Sequence, residues 1–202
     1  GRRRRHETGA VLFDAGDAPH SVLILEDGVL RIDRFTPSGD QILLTLERPG
    51  ALVGELGVMD GAPRSAACTA VVSSRVLWIA ADRWTRLQAT EPTIANWVTL
   101  RTMHRLRGLT DQLVAASTLD AKGRSAARLY ELLELGFRPD DNDTLRLPIS
   151  QQDLGRWAGL SREGTVKGLR ELRNTGVVST GRQRVTLHRI DELRALASEA
   201  RL

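Results

Sequence analysis

The sequence predicts an α+β chain: a β-rich module, then one long helix, then a small helical module that ends in two short strands. Short apolar runs broken by turn residues fill Ala10 to Ala80. From Asp82 to Val114 the apolar spacing lengthens to three or four residues, and beyond Leu119-Asp120 come helix-capping residues, turns and a closing pair of strand-like runs.

The first module contains Val11-Leu12-Phe13, Val22-Leu23-Ile24-Leu25, Val29-Leu30-Arg31-Ile32, Ile42-Leu43-Leu44-Thr45-Leu46, Ala70-Val71-Val72 and Arg75-Val76-Leu77-Trp78-Ile79. Gly16-Asp17, Asp27-Gly28, Pro37-Ser38-Gly39-Asp40 and Pro49-Gly50 separate them, and such pairs turn the chain because Gly accepts positive φ and Pro presets φ. Short strands at this spacing build a sandwich or barrel. Asp27-Gly28 is predicted to join its flanking runs as a hairpin. Arg2–Arg5 and His6 read as a solvated arm.

The helical stretch has one predicted break at Glu91-Pro92, where Pro suits a first helical turn. Ile94, Trp97, Leu100, Met103, Leu106, Leu109 and Leu113 then form a stripe. Its mean step is shorter than that of an ideal coiled-coil seam, so it drifts around the helix and can serve two surfaces. One is the β module and the other a second copy of the helix; packing on the β module alone is the alternative. Asp120 is placed to cap a helix beginning near Ala121 and carrying Ala126, Leu129, Leu132 and Leu133. Leu145-Arg146-Leu147 is a short strand candidate.

Composition narrows the function classes. The 202 residues have room for one large or two small cores, and 41% hydrophobic with 27% charged residues suits a packed chain. No run approaches the roughly 18 to 20 apolar residues of a membrane span, and no apolar signal-peptide core follows Arg2–Arg5, so a cytoplasmic protein without a membrane partner is expected. The single cysteine, Cys68, cannot close an intramolecular disulfide or alone hold an iron–sulfur or zinc site, and reads as a small buried residue. His6, His20, His104 and His188 are scattered, which argues against a haem site or a metal enzyme on a cupin barrel; no catalytic residue, metal or resident cofactor is expected. The net charge of +4 allows a polyanionic partner, and basic residues are concentrated between Arg156 and Arg189.

The strongest motif lies there. Ser150 caps a helix with Leu154 and Ala158 on its inner face, Gly159 permits a sharp turn, and Ser161 caps a second helix whose inner face is read as Val166, Leu169 and Leu172. This is the layout of a helix-turn-helix. Arg162, Glu163 and Lys167 project from the first turns of the second helix, where a helix in the major groove meets base edges, with Arg170 further along toward phosphate. Gly176 to Leu187 reads as two strands around Gly181-Arg182, a wing whose Arg182 and Arg184 suit phosphate contacts. Gly164 and Gly168 each weaken the recognition helix by roughly 1 kcal/mol relative to Ala. The sequence offers no reason for either. A protein-interacting helical hairpin is the alternative use of such a turn.

Over nearly its whole length the chain resembles the CRP/FNR family of regulators. The resemblance rests on Gly54-Glu55-Leu56-Gly57 with Arg64-Ser65-Ala66, on Leu119-Asp120 with Gly123-Arg124, and on Ser161-Arg162-Glu163. It implies an N-terminal double-stranded β-helix, a cupin-like jelly-roll that binds a cyclic nucleotide, over residues 1–90. A dimerisation helix follows over 91–119 and a winged helix-turn-helix over 120–202. By the same resemblance Gly54, Glu55, Leu56, Arg64 and Ser65 form a phosphate and ribose cassette, with cyclic AMP the first candidate effector. Backbone N–H groups at Gly54 to Leu56 meet the phosphate, Arg64 balances its charge, and Glu55 faces the ribose 2′-OH. Thr110 reaches the purine, while Leu109 stands where the catabolite activator has a polar residue. Ser150, Gln151, Ser161, Arg162, Glu163, Lys167, Arg170, Arg182 and Arg184 are the candidate contacts to double-stranded DNA. A homodimer is implied, and RNA polymerase is a candidate partner. A regulator needing no small ligand, or a protein-binding adaptor, stays open.

Overall fold

The computed structural model describes residues 1–36, 41–141, 144–145, 150–181 and 184–198. The chain divides into two compact units, Gly1–Leu106 and Arg107–Leu202. The Pro37-Ser38-Gly39-Asp40 turn and most of the Leu145-Arg146-Leu147 strand candidate lie outside the described residues.

The first unit holds β1 (Arg2–His6), β2 (Val11–Phe13), β3 (Ser21–Asp27), β4 (Leu30–Phe35), β5 (Gln41–Glu47), β6 (Leu52–Val53), α1 (Glu55–Asp60), β7 (Ala67–Ala70), β8 (Ser74–Ala80) and α2 (Ala81–Thr90). Two antiparallel sheets, ordered β1-β8-β3-β6 and β2-β7-β4-β5, enclose Leu23, Leu25, Leu30, Ala51, Val53, Cys68, Ala70 and Val76. β3 is apolar almost throughout because it is covered on both faces. Leu23 and Leu25 enter that core, and Val22 joins Leu52, Ile79, Trp84 and Val98 in a second cluster against which Ile94 and Trp97 pack.

The structure corrects three expectations in this unit. Gly28 turns as predicted, at φ 95°, and a Cβ there would overlap Ser74. No hairpin results, however: β3 pairs with β6 and β8, and β4 with β5 and β7. Leu25 and Leu30 meet in the core from different sheets, which two paired strands of one sheet would not allow. The strand expected at Ala70-Val71-Val72 is β7, which ends at Ala70; its buried Ala67, Cys68 and Ala70 are too small to stand out as a run. The arginine arm is an edge strand. Arg2 to His6 pair with Trp78 to Ser74, Arg3 bonds Glu26 at 2.8 Å, and the Arg4 guanidinium lies 5.5 Å from the Trp78 ring centroid. Backbone pairing and apolar arginine stems supply what the charges alone do not suggest. His6 accepts from Trp78 Nε1 at 3.1 Å, and burial, then Arg4, lowers its pKa.

The long helix α3 runs Pro92–Thr118, starting at the proline as expected. α4 (Ala121–Glu134), β9 (Thr144–Leu145), α5 (Gln151–Trp157), α6 (Arg162–Asn174), β10 (Val178–Gly181), β11 (Arg184–Leu187) and α7 (Ile190–Ser198) follow. The antiparallel sheet is ordered β10-β11-β9; Leu145 of this sheet is buried, as are Leu129, Leu132, Leu154, Leu172 and Leu193 of the helices. Asp120, Ser150 and Ser161 are the N-caps, each accepting from the backbone N–H three residues on, and Ser150 forms a reciprocal capping box with Asp153.

Gly168 has a structural reason. A Cβ on it would overlap the Ala121 carbonyl and the Ser125 hydroxyl, so its absence lets α6 cross α4 closely. Gly155 likewise lies against Thr165, joining α5 to α6. Nothing in the structure explains Gly164. Val166 is not on the inner face of α6: it is 58% exposed, and Thr165, Gly168, Leu169 and Leu172 fill the buried face instead.

Candidate effector pocket and nucleic-acid interface

The candidate effector cassette is built around Gly54. With φ 78° this residue starts α1 from the left-handed region with no side-chain cap, and a Cβ would overlap the Arg64 guanidinium. Arg64, 5% exposed, stacks 4.4 Å from the Phe13 ring centroid and donates through its two terminal nitrogens to the carbonyls of Gly54 and Ser21. Its Nε is buried without a partner, and burial lowers its pKa. Glu55 is also 5% exposed, and its Oε2 is buried without a partner. Two opposite charges, each with an unmet hydrogen-bonding atom, thus flank one close-packed glycine. Leu56 is 45% exposed, Ser65 is exposed, and burial pushes the Cys68 thiol up.

Glu55 pairs with the long helix and not with Arg64. Glu55 Oε1 accepts from Arg105 of α3 at 2.6 Å, and the same guanidinium donates to Glu47 at 3.0 Å and to the Leu52 carbonyl at 3.2 Å. Burial raises the pKa of Glu47 despite Arg105. Burial works against the Arg105 cation, but Glu55 and Glu47 together outweigh it and raise its pKa. Arg105 escapes a sequence reading because an arginine beside an apolar stripe looks like any solvated helix residue. Phe13 and Ser21 escape it too, since one contributes a ring face and the other a carbonyl. Thr110 is exposed and belongs to the second unit.

The apolar stripe of α3 divides. Ile94 and Trp97 pack on the first unit, whereas Leu100, Met103, Leu106, Leu109 and Leu113 are 48%, 52%, 64%, 51% and 69% exposed.

In the second unit Ala158 to Ser161 separate α5 from α6, with Gly159 at φ 65°. The Gly159 carbonyl accepts from Arg124 at 3.2 Å, tying this corner to α4. Arg162, Glu163, Lys167 and Arg170 are all exposed on α6 and, with Val166, line an open depression of about 290 Å³. Lys167 reaches Glu171 only at 4.0 Å and keeps a 64% exposed side chain. Ser161 is exposed beside them, while the Ser150 hydroxyl is engaged with Asp153. Gln151 donates to the Gly181 carbonyl at 3.2 Å and Arg173 to Thr180 at 3.1 Å, so both helices hold β10. Arg182 lies outside the described residues, and of Arg184 only the position in β11 is described.

Among the described residues no group of His, Cys, Asp and Glu is arranged to hold a metal, and no helix is long and apolar enough to cross a membrane.

Residues 3–91 match the cyclic nucleotide-binding domain and residues 123–196 the Crp-like helix-turn-helix domain. The chain is 29% identical over 180 residues to a cyclic AMP receptor protein of Thermus thermophilus, covering 89% of this chain and 81% of that protein. It is 26% identical over 204 residues to the fumarate and nitrate reduction regulatory protein of Escherichia coli, covering 99% and 80%. In fold, a CRP/FNR-family transcriptional regulator from Thermus thermophilus superposes with a TM-score of 0.84 at 21% identity over 98% of both chains. The c-di-GMP-responsive regulator CLP of Xanthomonas campestris superposes at 0.81 with 23% identity over 93% of both. These relatives are regulators and not enzymes. Two matched domains in this order, on this fold, make the chain a DNA-binding transcription regulator of the CRP/FNR family.

Proposed function

We propose that the protein is a homodimeric, sequence-specific regulator that reads double-stranded DNA with α6 and is controlled by a cyclic nucleotide, cyclic AMP first, in the β module. The observation that carries the DNA reading is the outward face of α6, where Arg162, Glu163, Lys167 and Arg170 stand exposed while Thr165, Leu169 and Leu172 are buried. Arg162 can donate two bonds to guanine, Glu163 can accept from cytosine, and Lys167 and Arg170 reach base or phosphate. Ser161 and the wing arginines Arg182 and Arg184 add backbone contacts, and Ser150 and Gln151 hold the first helix and the wing for this task. Leu100, Met103, Leu106, Leu109 and Leu113 form the dimer seam, an exposed apolar stripe that a second copy would cover. Residues 1–90 act as sensor, 91–119 as dimerisation helix and 120–202 as reader, in the cytoplasm, with RNA polymerase as the partner downstream.

The unmet Arg64 Nε and Glu55 Oε2 support an anionic, hydroxyl-bearing effector. A cyclic phosphate offers Arg64 a charged acceptor in place of two neutral carbonyls, offsetting the burial of the cation, and a ribose 2′-OH can donate to Glu55. Leu56 and Ser65 lie beside the phosphate. The effector shifts the DNA-binding equilibrium only by its differential affinity for two states, commonly about 1–3 kcal/mol. Isothermal titration with cyclic AMP tests the sensor. Wild type binds and Arg64→Ala does not, while basal DNA affinity is kept; equal binding by both sinks the pocket assignment.

A further inference from the structure

We propose that Val166 is a specificity-determining residue which packs on the 5-methyl group of a thymine in each half-site. The inference rests on the DNA-binding reading of α6 and adds a base that its charged residues cannot choose. A lone exposed valine on a protein surface needs no explanation, but the setting of this one is specific. At roughly 100° per residue, Val166 falls about 40° around the helix from Arg162, about 60° from Glu163 and about 40° from Arg170. It is 58% exposed and lines the same open depression as Arg162, Glu163, Lys167 and Arg170. The buried face of α6 is complete without it, because Thr165, Gly168, Leu169 and Leu172 occupy that side. Val166 therefore is not one of the buried residues of α6, and it has no side-chain polar atom with which to hold a phosphate. In a major groove the group complementary to an exposed branched apolar side chain is the thymine methyl, the apolar feature among donors and acceptors of the base edges. The neighbouring charges narrow its place: Arg162 and Glu163 engage the adjacent base pairs, so the thymine lies within the stretch they read.

The test uses the full chain. A duplex is first selected from a random pool, and its thymines are then replaced one at a time by deoxyuridine, which keeps every hydrogen-bonding group and lacks only the methyl. Burying one methyl-sized group contributes ~0.8 kcal/mol, or about fourfold in affinity for each half-site. One thymine per half-site is expected at which wild type loses about fourfold on replacement. Val166→Ala loses that discrimination while binding the uracil duplex as wild type does, and Val166→Thr, which keeps a methyl, retains it. If every thymine replacement weakens wild type and Val166→Ala alike, or the selected half-site has no thymine beside the bases read by Arg162 and Glu163, the inference is overturned and the DNA-binding reading stands. If no duplex is enriched even at low salt, both fall together.

Discussion

Replacing Arg105 with alanine removes the shared partner of two carboxylates. Glu55 and Glu47 have side chains only 6% and 14% exposed, against 36% for Arg105. Breaking a buried pair by deleting one partner typically costs ~3–5 kcal/mol, and the partial exposure of Arg105, which lets water replace some of its bonds, reduces that to ~2–3 kcal/mol. The loss depends on pH with a definite sign. The folded pKa of Glu47 is already raised above its ordinary 4.5 by burial, so its contribution to stability falls as pH rises from that value through the folded one. Without Arg105 the folded pKa rises further, which widens that window and deepens the loss above it. Arg105→Ala should therefore lose the full amount at pH 8 and clearly less at pH 5, and Arg105→Lys should fall between variant and wild type. Urea unfolding followed by tryptophan fluorescence measures this, in a Trp157→Phe background so that Trp78, Trp84 and Trp97 report on the first unit alone. A loss below ~0.5 kcal/mol at pH 8, or one of equal size at both pH values, would refute the reasoning.

Gly168→Ala should destabilise the second unit by ~1–3 kcal/mol despite the better helix propensity of alanine, because the new methyl meets α4; thermal unfolding followed by the difference in fluorescence between otherwise identical chains with Trp157 and with Trp157→Phe reads the change. Leu106→Glu, at a 64% exposed position, should leave the fold intact and give a monomer in sedimentation equilibrium, with weaker operator binding. Lys167→Ala should lower DNA affinity and, if the lysine serves a phosphate, flatten the dependence of log affinity on log salt by about one unit for each subunit.

The parts legible in the sequence were those where one residue type has one local use. Asp120, Ser150 and Ser161 cap the helices they were expected to cap, Pro92 opens the long helix, and Gly159 turns between α5 and α6. What escaped depends on partners distant in sequence. The Asp27-Gly28 turn is local, but which sheet each flanking strand joins is decided by Val76 and Ala70, more than 40 residues away. Arg2–Arg5 form a strand only because β8 offers a free edge. The candidate effector cassette shows the same division. Gly54, Glu55 and Arg64 were recognisable as a group, whereas the partner of Glu55 is Arg105, which sequence alone does not separate from its exposed neighbours. Apolarity alone places Val166 in the core, whereas the close approach of Gly168 to α4 shows which face of α6 the core takes.

Hydroxyl-radical footprinting of the full chain on its selected duplex tests most directly whether α6 is presented twice to one double helix. Two protected segments are expected, centred one helical turn or about 34 Å apart, and both should vanish together when Arg162 and Lys167 are replaced by alanine. A single protected segment, or a footprint unchanged by that double substitution, would contradict the account.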